Sequence, residues 1–367
     1  MSLCKKIYNR ICSDKTFYLS FLPSAFIIFV IAYLILLYPE TASSGVADGI
    51  ELCLKTVIPS LFPFLVISNI AYDCGFINLI SGKTGRFTEI LFRLPAISLP
   101  IIIMSMLGGY PVGSLLIAKA FEKKQLSRSQ AERMIMFCVN PGPAFVVSTV
   151  GCSFLGSKQS GVIIYISLTI TAILMGVLSR FLADDTYNEF LHKQEKTHPV
   201  SSSVITESVN NSTRNMLNIC IWIVVFSCFG ELLPLIVENK ASIIFLTMVS
   251  EVTNGAMIAS EKFTLPIITA VIAFAGFCVH LQIMPCLLKI KLKYKYFLSV
   301  RILNSAFSCV VTFIITELFP QYSQVISLGA KPHAASNDIS IPICVWLMIM
   351  CGLYIIGDSY IFNKKHK

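Results

Sequence analysis

Charge is scarce in this sequence: only 13% of its 367 residues are Asp, Glu, Lys or Arg, about half the share of a typical soluble domain. Tryptophan is nearly absent, with 2 residues, and the 13 cysteines form no C-x-x-C pair. Many of them, including Cys138, Cys220, Cys228, Cys278 and Cys309, lie inside apolar runs and read as small hydrophobes, not as disulfide partners or metal ligands. Also missing are H-E-x-x-H, G-x-S-x-G, a phosphate-binding glycine loop and any His/Cys cluster with metal spacing, so neither an enzyme nor a metal site is expected. What fills the chain is hydrocarbon. With 55% hydrophobic residues and a mean hydropathy of +0.74, it reads as an all-α, polytopic membrane protein whose helices each need roughly 20 apolar residues to span the bilayer.

The net charge of +9 is spread over short loops between apolar runs, which points to membrane topology and not to nucleic acid. Basic residues put the N-terminus, Lys83/Arg86/Arg93, Lys123/Lys124/Arg128/Arg133, Lys193/Lys196/Arg214, Lys289 to Lys295 and the C-terminal Lys364/Lys365/Lys367 on the cytoplasmic side. The basic-poor loops near Pro39 to Asp48, Val237 to Lys240 and Gln321 to Asp338 are then external.

Crossings can be counted from these sides. A retained first helix covers Phe17 to Tyr38, and Ile50 to Tyr72 crosses inward. Asn78 to Leu94 suggests an in-plane interfacial helix. Leu94 to Phe121 lies between two basic loops and must turn back as a re-entrant hairpin; Met134 to Val150 crosses outward and Val162 to Leu182 returns. After a polar linker the pattern repeats upside down. Asn215 to Ile236 crosses outward, Ile243 to Ser260 dips in and returns, Leu265 to Leu288 crosses inward and Tyr296 to Leu318 outward, with Ile341 to Phe362 closing the chain.

The expected division is therefore 1–44 (tail and first helix), 45–182 (first repeat, hairpin about 94–121), 183–214 (cytoplasmic linker), 215–318 (second repeat, hairpin about 243–260) and 319–367 (external loop, last helix, basic tail). Inverted halves with broken helices are the grammar of a secondary transporter. A faint match pairs GSLLIAKAF from Gly113 with GAMIASEKF from Gly255, and Gly142 with Gly276.

Gly108, Gly109, Tyr110, Pro111 and Gly113 break the first hairpin, and Asn140-Pro141-Gly142-Pro143 breaks the following span, because proline removes a donor and glycine favours bends. Unwound backbone at membrane depth needs a protein-lined or wet cavity. Half-helices starting there would aim N–H groups and positive dipole ends into it, a setting suited to a small anion. In the second half, Glu251, an ionisable group in an apolar run, precedes the Thr253-Asn254-Gly255 break. It is either an ion-coupling group or an acceptor that caps the break. Gly276, His280 and Gln282 are the neighbouring candidates for substrate binding, with Asn140 and Pro143. Arg301, near the cytoplasmic end of its helix, reads as a snorkelling anchor.

PSLFPF (Pro59 to Phe64), GGYPVG (Gly108 to Gly113), the stretch with Ser127, Ala131, Glu132 and Arg133, NPGPAF (Asn140 to Phe145), E-x-T-x-G (Glu251 to Gly255) and G-x-x-V-H-x-Q (Gly276 to Gln282) form an ordered set from about Gly45 to Thr312. The set resembles the YlbJ-type sporulation integral membrane proteins, also called SpoVV, with paired nucleoside-recognition Gate domains. The resemblance implies a fold related to concentrative nucleoside transporters. It also implies residence in the outer forespore membrane and movement of dipicolinic acid from mother cell toward forespore. Cys138 and the Ala275 to Cys278 run depart from the more polar versions expected there. A nucleoside or nucleobase carrier and a non-transporting scaffold of spore assembly are the alternatives. The expected partners are a small anion and the lipid bilayer, with no nucleic acid. A homo-oligomer is compatible with the sequence, and the only cofactor-like species is a coupling proton or sodium ion.

Overall fold

The computed structural model describes residues 29–183 and 202–319, and every regular element among them is helical. Five of those helical stretches are long and apolar enough to cross a membrane: Pro39–Asp73, Lys158–Leu182, Ser202–Ile236, Leu265–Ile290 and Tyr294–Leu318. The last helix expected from the sequence, Ile341 to Phe362, and most of the first lie outside the described residues.

The described chain begins with α1 (residues 29–37) and runs into α2 (Pro39–Leu52), a π-helical turn (Cys53–Val57) and α3 (Ile58–Asp73). The π turn has a local cause. Pro59 has no N–H for the carbonyl of Lys55 and its ring crowds that carbonyl, so the helix widens one turn before it and continues. Pro39 to Asp48, expected to be an external loop, is the start of this helix, and the division drawn at residue 45 falls inside it. Its polar residues hid a packing motif. Gly45 and Gly49, one turn apart, let α2 lie directly on α9 (Ser202–Ile236), where an added Cβ would stand 2.8 Å from the Cα of Cys228 or of Val224. Gly49→Leu is therefore expected to destabilise the detergent-solubilised protein by about 1–3 kcal/mol through overpacking; an unchanged thermal midpoint would show that the two helices are free to separate.

The second half of the expected linker is helical as well, because α9 begins at Ser202. Its first turns are held by packing: the Ser208 hydroxyl donates to Asp73 Oδ2 at 3.2 Å, and the Asn69 amide donates to Ser212 Oγ at 2.9 Å. Asp73 also pairs with Lys119 at 2.6 Å, which ties the two preceding helices to a third. A helix stands where one was expected near Asn78 to Leu94, as α4 (Phe76–Phe92), and Arg133, from a loop expected to be basic and cytoplasmic, is buried and donates to the carbonyls of Phe92 and Arg93 at its end.

Two pairs of short helices fold back on themselves. α5 (Ser98–Gly108) and α6 (Val112–Glu122) pack side by side, as do α10 (Lys240–Ser250) and α11 (Val252–Lys262). Two other pairs are interrupted helices whose halves barely touch. α7 (Arg128–Cys138), opened by a Ser127/Gln130 capping box, is followed after Val139 to Pro143 by a π-helical segment (Ala144–Phe154). α12 (Leu265–Phe274) and α13 (Gly276–Ile290) are separated by Ala275 and Gly276, both left-handed, with φ of 74° and 64°. The expected single crossings Met134 to Val150 and Leu265 to Leu288 are thus each broken in the middle. α8 (Lys158–Ser179) and α14 (Tyr294–Leu318) pack with α12; α7 and the π-helical segment rest on α8, and α11 rests on α12.

Candidate functional site at the helix breaks

Each hairpin tip is seated on the break of the helix that follows it. Gly109, at φ +74°, lies so close to Gly142 that a Cβ would strike the Gly142 backbone, and the Cβ of a residue at 142 would stand 3.0 Å from the Leu107 carbonyl oxygen. In the second half, a Cβ on Gly276 would stand 3.0 Å from the Val252 nitrogen and 3.1 Å from the Ser250 carbonyl oxygen, at the α10–α11 tip. Glycine is required at 109 and 276 by both the backbone sign and the close approach.

Within the hairpins, Gly113 faces the Cys138 carbonyl, Gly108 the Val112 side chain and Gly255 the Met248 backbone. Pro111 precedes α6 and Pro143 precedes the π-helical segment. These small and kinked residues are structural contacts of the breaks.

Glu251 is 2% exposed and caps α11. The Thr253 N–H donates to both carboxylate oxygens at 3.0 Å, and the Asn254 N–H donates to Oε2 at 2.8 Å. The N-terminus of α11, one of the expected anion-binding helix ends, is therefore occupied by the protein's own carboxylate, where the dipole favours negative charge. Capping does not remove Glu251 from the cavity. A small cavity runs between Thr56, Ser60, Tyr110, Gly142, Phe145, Glu251, Thr253, Val279 and Gln282. At about 40 Å³ it has room for roughly three waters. Its lining holds one carboxylate and no cation. Of the residues expected to bind substrate, it brings together Tyr110, Gly142, Thr253 and Gln282.

His280 is not among them. It is fully buried in a cage of Phe274, Phe277, Tyr294 and Phe297. With Nε2 as donor it binds the Phe274 carbonyl at 3.0 Å, and Nδ1 then accepts from the Tyr294 hydroxyl at 3.1 Å. Nε2 is spent on the end of α12 and Nδ1 on the first residue of α14. Asn140 lies beside the break, where its amide donates to the Phe137 carbonyl at 2.6 Å while its Oδ1 is buried without a partner.

Arg301 departs furthest from expectation. It is 0% exposed, enclosed by protein where a snorkelling side chain would reach outward. Nη1 donates to the Val139 carbonyl at 2.6 Å and Nη2 donates to the Ala273 carbonyl, so one guanidinium ties off the C-terminal ends of both broken half-helices, α7 and α12. Each such end carries roughly half a negative charge, which offsets the guanidinium charge where no carboxylate pairs with it among the described residues. A sequence signal for this was present: Arg301, Asn304, Ser308 and Thr312 recur at helical spacing, and they form the buried face of α14.

Comparison with known proteins agrees with the motif set. The chain is 21% identical over 335 residues, 80% of its own length and 81% of the relative's, to the sporulation integral membrane protein YlbJ of Bacillus subtilis. No family model matches the chain, and no solved structure matches it significantly. With five membrane-length helices among the described residues, the chain is a polytopic helical membrane protein, and it is similar to that sporulation integral membrane protein over four fifths of its length.

Proposed function

We propose that the protein is a secondary transporter of a small anionic metabolite, built as an inverted repeat in which α5–α6 and α10–α11 enter the membrane from opposite faces. The observation that carries this is the seating of each hairpin tip on the break of the next helix, Gly109 on Gly142 and Val252 against Gly276, with both assemblies meeting at one small cavity. Paired hairpins and paired broken helices around a central cavity are what alternating access needs, because the tips can withdraw as rigid pieces while the breaks stay in place. A cavity of about 40 Å³ holds only a few waters, so loading any metabolite requires such a movement.

Dipicolinate is the proposed cargo, supported by the resemblance and by the relative's name as a sporulation membrane protein. We place the coupling ion, a proton or sodium, at Glu251, the cavity's one carboxylate. A nucleoside or nucleobase is the second reading, favoured by the same lining: Glu251, Thr253 and Gln282 suit an uncharged hydrogen-bonding ligand. Uptake of dipicolinate and of uridine by the purified protein in liposomes, under an imposed ion gradient, separates the cargoes. Uptake of neither would leave a non-transporting scaffold.

The repeat has its own test. Single cysteines in a cysteine-free background are expected to react from the cytoplasmic side at Lys124, beyond α6, and from the external side at Lys262, at the end of α11. Labelling of both from the same side would sink the inverted arrangement.

A further inference from the structure

We infer that Arg301, Asn304 and Tyr110 form an oxyanion subsite behind the cavity wall, which receives a carboxylate of the transported anion. This rests on the transporter reading and deepens it. The cavity poses a problem for an anionic cargo: its lining has a carboxylate and no cation, and Glu251 already fills the α11 N-terminus. A buried positive charge lies behind the cavity wall: Arg301 is bonded to the Val139 carbonyl, at the break whose Pro141 and Gly142 line the cavity. Tyr110 lines the cavity next to Gly109, which is seated on the same break, and lies within electrostatic reach of Arg301.

Three buried donors on these residues have no acceptor. Arg301 spends Nη1 and Nη2 on the carbonyls of Val139 and Ala273 but leaves Nε–H buried and unpartnered. Asn304, fully buried one turn further along the same face of α14, has its Oδ1 fixed as acceptor from Ser308 Oγ at 3.4 Å and its Nδ2 unpartnered. The Tyr110 hydroxyl is buried and unpartnered too. Buried donors left without acceptors are costly and rare, and Nε–H, an amide N–H and a phenol O–H together suit one acceptor-only group with several lone pairs, which a carboxylate is. Two backbone carbonyls hold the guanidinium in place before the ligand arrives, so its orientation is set in advance.

Asn304→Asp supplies an internal carboxylate where the ligand's would bind, and leaves both carbonyl bonds of Arg301 intact. Binding of dipicolinate and of its uncharged analogue pyridine-2,6-dicarboxamide is measured by calorimetry on the full-length, detergent-solubilised protein. Expected is tighter binding of dipicolinate than of the diamide by wild type, and loss of dipicolinate affinity by about tenfold or more in Asn304→Asp, the scale of a charged hydrogen bond, with the ligand-free melting temperature kept or raised. Tyr110→Phe, which removes one oxygen and keeps the ring, gives the second reading if Asn304→Asp does not fold, with dipicolinate affinity again expected to fall. If wild type binds dipicolinate and both variants bind it equally well, the three donors serve ordered water and the subsite is overturned while the transporter stands. If wild type does not bind dipicolinate at all, the anion-transporter reading falls and this subsite with it.

Discussion

Gly109→Leu is expected to abolish transport while leaving the protein inserted and folded. The glycine has φ +74° and ψ −175°, a region open essentially to glycine alone where a side chain costs about 1–3 kcal/mol, and its missing Cβ is replaced by the backbone of Gly142, with the Gly142 Cα at 3.0 Å and the Pro141 carbonyl carbon at 3.2 Å. No rotamer relieves a collision that begins at Cβ. The hairpin tip must lift off the break, and the cavity wall formed by Tyr110 and Gly142 moves with it. Arms α5 and α6 remain apolar helices packed on their neighbours, so insertion is preserved. Gly156 supplies the control: its φ is +62°, but nothing lies within 4 Å of its added Cβ. Gly156→Ala carries a positive-φ side chain without a collision, and Gly109→Ala adds the collision with the Gly142 backbone. Comparable uptake by Gly109→Ala and Gly156→Ala, at equal protein per liposome, would show that the tip need not touch the break.

The interruptions at Gly108 to Gly113, Pro141 to Pro143 and Gly276 were legible because glycine and proline declare them, whereas the break expected at Thr253-Asn254-Gly255 falls at Glu251 and those three residues are helical, in the first turns of α11. The apolar runs likewise announced the membrane-length helices. Other features escaped for physical reasons. Pro39, Glu40 and Asp48 look like a loop to hydropathy, yet α2 is helical because Gly45 and Gly49 pack it onto α9, a partner more than 170 residues away in sequence. Ser208 and Ser212 look like linker but are buried against Asp73 and Asn69. Arg301 was misplaced because an arginine a few residues after a lysine cluster has the pattern of a snorkelling anchor, whereas its bonding partners lie 162 and 28 residues away. Hydropathy records how polar a position is, and only the packing of α14 on α8 and α12 decides which way its arginine faces. His280 shows the converse: a lone membrane histidine attracts a ligand reading, but its aromatic cage and the Phe274 carbonyl account for the whole ring.

Glu251→Gln is expected to eliminate concentrative uptake while preserving exchange of substrate across the membrane. The capping role and the coupling role make different demands on the same carboxylate. As a cap, Glu251 uses both oxygens, accepting from the N–H groups of Thr253 and Asn254. Glutamine keeps one carbonyl oxygen for those donors and turns an amide toward the rest, so α11 is weakened by about 1 kcal/mol, the usual scale of a lost cap, and the hairpin survives. As a coupling group, the carboxylate must change its charge or hold a cation as the α10–α11 tip moves relative to Gly276, and the amide can do neither. A proton or sodium gradient then has no route to the cavity, because no other lining residue is a carboxylate or a basic group. Glu251→Ala serves as the reference for cap loss, since it deletes both functions and is expected to show the larger fall in melting temperature. Net uptake and counterflow are measured side by side in liposomes under an imposed ion gradient. If Glu251→Gln accumulates substrate as wild type does and only the melting temperature drops, Glu251 is a cap alone and coupling must enter elsewhere in the chain.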